Sequence, residues 1–179
     1  MIGGNLRRAL NSAGYEVSLL KEEEEKILQI FQENKVSYQL YEHQPVYTSQ
    51  EAAKVRGVEL KTGCKSMVLK RKDGKFILAN IAADKKIDFK KLESFLGVKL
   101  SFATREEVLK TTNCESGSVP PFGKLFGLPT FLDQSVLEND FVNFNIGLLT
   151  KSVKISKQDL LKLMDPIILK FSKSKSEEM

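Results

Sequence analysis

The sequence predicts an α+β fold, a compact single domain with helices flanking a largely antiparallel or mixed sheet. Three observations carry this. Stretches of helical period are interleaved with short stretches of period two. Helix-start signals recur at Thr48, Asp88 and Thr104. In "KSMVLKRKDGKFILANIAA" two apolar runs flank "KDGK", the composition of a β-hairpin. A length of 179 residues suits one domain with one sizeable core.

The elements follow in order. "LLKEEEEKILQIFQENK" sets Leu20, Ile27, Leu28 and Phe31 on one side at helical spacing, with acids in the expected first turn. "VSYQLYEH" alternates as a strand does. Thr48 and Glu51 have capping-box spacing, so a helix should run from about Ser49 to Arg56 and stop at Gly57. After the hairpin, Asp88 starts and Gly97 ends another helix, "KLSFA" is a short strand, and Thr104 with Glu107 forms a second capping box. "PTFLDQSV" and "FVNFNIGLLTKSVKI" read as three strands, and a last helix starts near Ser156. "KFSKSKSEEM" has no core-forming pattern and reads as a polar tail. The expected division is an extension over 1–18, the globular domain over 19–168 and the tail over 169–179.

Composition narrows the function. No apolar run approaches the length of a membrane span. The net charge of +5 permits an anionic partner such as RNA without demanding one. Cys64 and Cys114 stand apart from each other and from any histidine, so they read as free thiols in a reducing compartment and not as a zinc site. No HExxH, DxDxDG or acidic ligand cluster occurs, and no metal or cofactor is expected. The first fifteen residues carry Arg7 and Arg8 without an acid. They read as a short extension, with organellar targeting the weaker alternative and the cytoplasm the expected location.

His43 is the sole histidine, so a Ser–His or Cys–His arrangement would have to recruit it. Its place in "YEHQPVY", before a proline, favours a hydrogen-bonded turn residue. "GCKS" at 63–66 has the lysine of a phosphate-binding loop. However, glycine is not next to that lysine, and "MVLKR" continues as a strand instead of a helix. Lys65 therefore stands where a turn enters an apolar strand, and partial burial there would lower its pKa. In "GSVPPFG", residues 117–123, Pro120 and Pro121 fix φ and remove two donors, while Gly117 and Gly123 permit positive φ or close approach. The loop is either a stiff turn or a backbone that presents the N–H groups of Gly117 to Val119 to a carbonyl.

In this order and spacing, "YEHQPVYTSQEAA", "GCKSMVLK", "GSVPPFG", "LFGLPTFLDQSVLE" and "VNFNIGLLTKSVKI" resemble the YbaK/prolyl-tRNA synthetase editing-domain family, from about Glu24 to Met164. The resemblance implies a mixed, partly barrel-like sheet and hydrolysis in trans of the ester on mischarged tRNA, alanine or cysteine on proline tRNA being the expected cargo. It implies Lys65 and the loop residues Gly117, Ser118 and Val119 as the catalytic set. Tyr41, Ser66, Pro120, Pro121, Asn145 and Gly147 would bind substrate. Loop N–H groups would hold the carbonyl while water attacks, without a protein nucleophile. Aminoacyl-tRNA would be the partner, with transient contact to a synthetase and neither membrane nor DNA involved. Several editing domains carry a histidine just after the glycine equivalent to Gly147. Here Leu148 and Leu149 follow instead, which leaves amino-acid choice and rate open. Two rivals remain: a catalytically silent tRNA-binding or protein-interaction module on the same fold, and a cysteine or serine hydrolase using His43.

Overall fold

The computed structural model describes residues 17–178, so the expectation for the first fifteen residues lies outside the described residues. Helix α1 covers Val17–Glu33, two residues earlier than its pattern suggested, so Glu22 to Glu25 fall in its second turn. Ile27 and Phe31 are fully buried, and Leu28 packs beside them. Strand β1 (Gln39–Glu42) precedes α2 (Ser49–Arg56). The Thr48 hydroxyl accepts the Glu51 N–H as expected. The return bond of a capping box is displaced by one residue, because the Glu51 carboxylate accepts the N–H of Tyr47 at 3.0 Å.

Strands β2 (Cys64–Arg71) and β3 (Phe76–Ala82) form the expected hairpin, and β4 (Lys85–Ile87) follows. Helix α3 (Phe89–Leu96) is capped by Asp88, β5 spans Leu100–Phe102, and α4 (Arg105–Thr112) has the full Thr104–Glu107 box. Then come β6 (Thr130–Asp133), β7 (Phe141–Asn145), β8 (Lys151–Ser156), α5 (Lys157–Met164), β9 (Ile167–Leu169) and β10 (Ser172–Ser174).

These strands make three sheets. A five-stranded sheet has the order β5-β2-β3-β6-β9, with β3, β6 and β9 parallel and the remaining pairs antiparallel. The antiparallel trio β1-β8-β7 carries α1 and α5 over a core that includes Phe31, Phe144 and Leu160. A bridge between Gly63 and Asn143 joins trio to hairpin, and Asn143 donates to the Thr62 hydroxyl at 3.0 Å. The architecture is α+β as expected, and among the described residues the sheets do not close into a barrel.

The C-terminal segment differs most from its pattern. Phe171 is buried, and β10 pairs with β4, so this stretch belongs to the packed structure and is no loose tail. The buried Asp133 carboxylate accepts the N–H of Phe171 at 2.6 Å, the N–H of Ser172 at 2.9 Å and the Ser172 hydroxyl at 2.6 Å. Burial acts to raise the pKa of Asp133, yet its bonds to Ser135, Ser172 and Phe171 outweigh it and hold the group below the usual carboxylate range.

Candidate active site

Strand β5 pairs only with Leu69–Arg71, so the first half of β2 has a bare edge on the side away from β3. The Val68 carbonyl accepts the Ala103 N–H at that edge. Strand alternation turns the N–H and C=O of Ser66 the same way, beyond the end of β5. This edge, α2 and the loop after α4 enclose a cleft of about 360 Å³.

Five of the expected site residues line that cleft: Lys65, Ser66, Gly117, Val119 and Asn145. Lys65 pairs with Ile81 across β2 and β3, and its ammonium has no hydrogen-bond or ion-pair partner among the described residues. Burial first, and then Lys175, lower its pKa to about 8, with Asp84 opposing and Lys86 adding to the shift. The Ser66 hydroxyl is buried, again without a partner among the described residues.

The "GSVPPFG" loop is fastened at both ends. Val119 packs with Val68 and Val108 below α4, and the Phe122 ring lies edge-on to Phe31 and Phe144. Gly117 has φ +92°, which favours glycine. A Cβ there would meet only Leu149 Cδ2, at 3.8 Å, so backbone strain and not crowding selects glycine. At Gly123 the reason is close approach, since a Cβ would collide with Thr130 Oγ1 and lie 2.8 Å from the Leu128 carbonyl. The N–H groups of Gly117 and Val119 have no acceptor among the described residues. Ser118, expected as a third donor, is fully buried and gives its N–H to the Glu115 carbonyl at 3.0 Å.

The other expected residues do not line the cleft. Pro120 and Pro121 are buried and do not line it. The Gly147 N–H bonds the Ser118 carbonyl at 2.9 Å and so braces the loop. Tyr41 pairs with Ser152 across β1 and β8.

Two residues that the sequence did not single out hold these parts together. The Arg56 Nη2 donates to Asn145 Oδ1 at 3.0 Å, and Asn145 Nδ2 donates to the Gly117 carbonyl at 2.8 Å. The Arg56 Nε donates to the Ser152 hydroxyl at 2.8 Å. Ser152 in turn lies 3.0 Å from His43 Nε2, while His43 Nδ1 lies 2.8 Å from the Gln44 carbonyl. A carbonyl only accepts, so Nδ1 carries the proton that faces Gln44. Burial lowers the Arg56 pKa to about 10, with Tyr41 opposing, and the group stays charged at neutral pH. Its position at the end of α2, before Gly57, reads in sequence as an ordinary helix-terminal cation.

These contacts weaken a protein nucleophile. His43 is engaged with Ser152 and Gln44, and Ser152 is fully buried. Burial pushes the thiols of both Cys64 and Cys114 up to about 12, leaving them protonated. The cleft instead is lined by the loop residues Gly117 and Val119, the partly buried Lys65 and Ser66.

The model of the aminoacyl-tRNA editing domain matches residues 43–163, which include α2, the lysine strand, the loop and β7–β8. The multifunctional Ser/Thr-tRNA deacylase ProXp-y of Escherichia coli K12 is 28% identical over 155 residues, 84% of this chain and 93% of that protein. The prolyl-tRNA editing protein ProX of Acetoanaerobium sticklandii is 37% identical over 95 residues, 52% of this chain and 58% of that protein. A solved structure of a proposed trans-editing enzyme for prolyl tRNA synthetase superposes with a TM-score of 0.75 at 24% identity, covering 85% of this chain and 98% of that one, and supports the fold.

Proposed function

The chain belongs to the aminoacyl-tRNA editing domain family, and from that premise we propose that it is a hydrolase removing mischarged amino acids from tRNA in trans. The observation that carries this is that Gly117 and Val119 of the stiff loop line one cleft with Lys65 and Ser66. Two preorganised N–H donors suit an ester carbonyl oxygen whose charge grows as water adds to the carbon. The carbon–oxygen bond to the ribose then breaks, the acid leaves with the water oxygen, and the ribose hydroxyl takes up a proton. In this reading the Lys65 ammonium orients the phosphate or ribose of the terminal nucleotide. Asn145 and Arg56 position the loop through the Gly117 carbonyl.

The finer reading is alanine or cysteine on proline tRNA, with a synthetase as a transient neighbour in the cytoplasm. Serine or threonine is a second reading, favoured by the unpartnered Ser66 hydroxyl, which could pair with a side-chain hydroxyl, and by the name of the Escherichia coli relative. The test is release of alanine, cysteine, serine, threonine and proline, each charged on proline tRNA, with serine and threonine also on their own tRNAs. Turnover of at least one non-cognate ester, with prolyl-tRNA spared, is expected. No turnover of any ester would leave the silent binding module.

A further inference from the structure

Strand β2 carries two different surfaces at its bare edge. Side chains alternate along a strand, so Cys64, Ser66 and Val68 point to one face and Lys65, Met67 and Leu69 to the other. Val68 packs with Val119, which puts the proline loop on the first face. Leu69 packs with Leu92 of α3 and with Phe131 on the second, where Met67 and Phe89 join the same cluster. Phe102 of β5 stands directly opposite Leu69 and so shares that second face. The cleft is lined from both, by Ser66, Val68 and Val119 on one side and by Lys65, Met67 and Phe102 on the other. It therefore wraps around the strand edge.

Among the described residues, Phe102 and Tyr47 are the large apolar side chains that are both exposed, at 58% and 74%, and part of the cleft lining. They differ in how they are held. Phe89 meets Phe102 with ring centroids 5.0 Å apart and planes at 88°, an edge-on contact that engages at most one face of the Phe102 ring. The strand end is also pinned, because the Ala103 N–H donates to the Val68 carbonyl at 3.1 Å. No ring contact holds Tyr47 among the described residues. A ring already fixed in place loses little freedom when a second flat π system lies on it, and every nucleobase has such a face. Stacking also needs no net positive charge, and of the acids one turn further on, Glu107 is paired with Lys70 at 2.8 Å.

We infer that Phe102 is the stacking platform for the base of the terminal tRNA nucleotide, with the bare edge of β2 between that base and the esterified amino acid on the Ser66 side. This rests on the deacylase reading for its ligand and adds the residue that holds the unpaired end. The occupant is a single strand, because only an unstacked base offers its face to a protein ring. The platform contributes affinity without choosing among bases, since a π face carries little sequence information.

The experiment is binding of uncharged tRNA, labelled in its body and followed by fluorescence anisotropy over a range of salt. Intact tRNA is compared with the same tRNA shortened by its last nucleotide, on wild-type protein, Phe102→Ala, Phe102→Leu and Phe102→Tyr. Phe102→Ala should bind intact tRNA more weakly by roughly five- to 150-fold, the range measured for loss of one base–aromatic stack. Phe102→Leu keeps an apolar contact to Phe89 and should also bind more weakly, which covers the case in which Phe102→Ala folds poorly. Phe102→Tyr retains a ring and should bind as the wild type does. Shortening the tRNA should cost the wild type a similar factor and cost Phe102→Leu little, because both changes remove one contact. The slope of log affinity against log salt should stay at the wild-type value, whereas a lost phosphate contact would lower it by about 0.7–0.9. Unchanged affinity in folded Phe102→Leu would overturn the inference, and an apolar group of a partner protein as the true occupant would give that result. A loss equal on intact and shortened tRNA would overturn it too. Turnover of mischarged tRNA by the wild type is scored separately. Ring-dependent binding without turnover removes the deacylase reading alone, and turnover without ring-dependent binding removes the platform alone.

Discussion

Arg56→Met separates positioning from stability. The substitution deletes bonds from a charged donor to Asn145 Oδ1 and Ser152 Oγ, each worth about 1.5–3 kcal/mol net. It also removes a buried charge. The fall from 12.5 to about 10 in the Arg56 pKa marks a burial cost on the order of 3 kcal/mol, at about 1.4 kcal/mol per unit. The two terms largely offset, and a net loss of about 0–3 kcal/mol follows. For a domain of this size that is a fall in melting midpoint of at most roughly 10 °C. Turnover should suffer far more. Without Arg56, Asn145 loses the bond that fixes its amide and the Gly117 carbonyl loses a steady partner, so the neighbouring N–H donors drift. Loss of one well-placed donor costs about 10²–10³-fold in kcat. The assay is single-turnover deacylation of the best mischarged tRNA, with melting in parallel. Arg56→Lys, which can reach one of the two oxygens, should recover part of the rate. Asn145→Ala should give a similar loss, and the double variant should be little worse than either single one, because both act through the same carbonyl. Arg56→Met with kcat within threefold of wild type, or single losses that multiply in the double variant, would refute the chain from Arg56 to Gly117.

Three further outcomes follow from the same cleft. Lys65 titrates near 8 in the free protein, so if its ammonium orients substrate, kcat/KM should fall as pH rises through about 8, after subtraction of uncatalysed hydrolysis. Lys65→Arg should lack that limb, and a rate that rises through pH 8 would instead make the neutral amine a base. The folded value lies below 10.5, so the unfolded chain binds more protons between these values and stability should rise from pH 8 to 10.5. Gly117→Ala should cost about 1–3 kcal/mol in stability from its φ of +92°, measured by denaturant unfolding. Its deacylation rate should fall further than that loss explains, and wild-type turnover of every ester would reduce the loop to a turn.

What was legible in the sequence was what short-range chemistry decides. The cap at Thr48 and the stop at Gly57 give α2 its bounds, and "KDGK" sets the β2–β3 register, because each depends on residues a few positions apart. Lys65 and the Gly117 loop were legible as motifs for the same reason. What was hidden depends on distance along the chain. Arg56 acts on Asn145, 89 positions later, and nothing near "KVRG" signals that bond. Strand β10 is three residues long and holds to a carboxylate 38 positions upstream of Phe171, so the local polarity of "KFSKSKS" pointed to a solvated tail. Pro120 and Pro121 were misplaced for a related reason. Their stiffness was legible, but which face of the loop they turn to the core is decided by Phe122 between Phe31 and Phe144.

This division bears on how the site works. Its motif residues lie on the cleft surface but do not fix their own positions. Ser66 is unpartnered among the described residues and Lys65 carries a charge that burial disfavours. Both cost stability in the empty protein, and on the proposed function an ester with its phosphates would offset them. The offsetting contacts lie elsewhere: Gly147 on the Ser118 carbonyl, Asn145 on the Gly117 carbonyl, Phe122 in the core and Asp133 at the start of β10. A sequence that kept Lys65 and the loop but lost Arg56 or Asn145 would therefore still match the motif while its donors wandered, and the Arg56→Met measurement is the direct check on that separation.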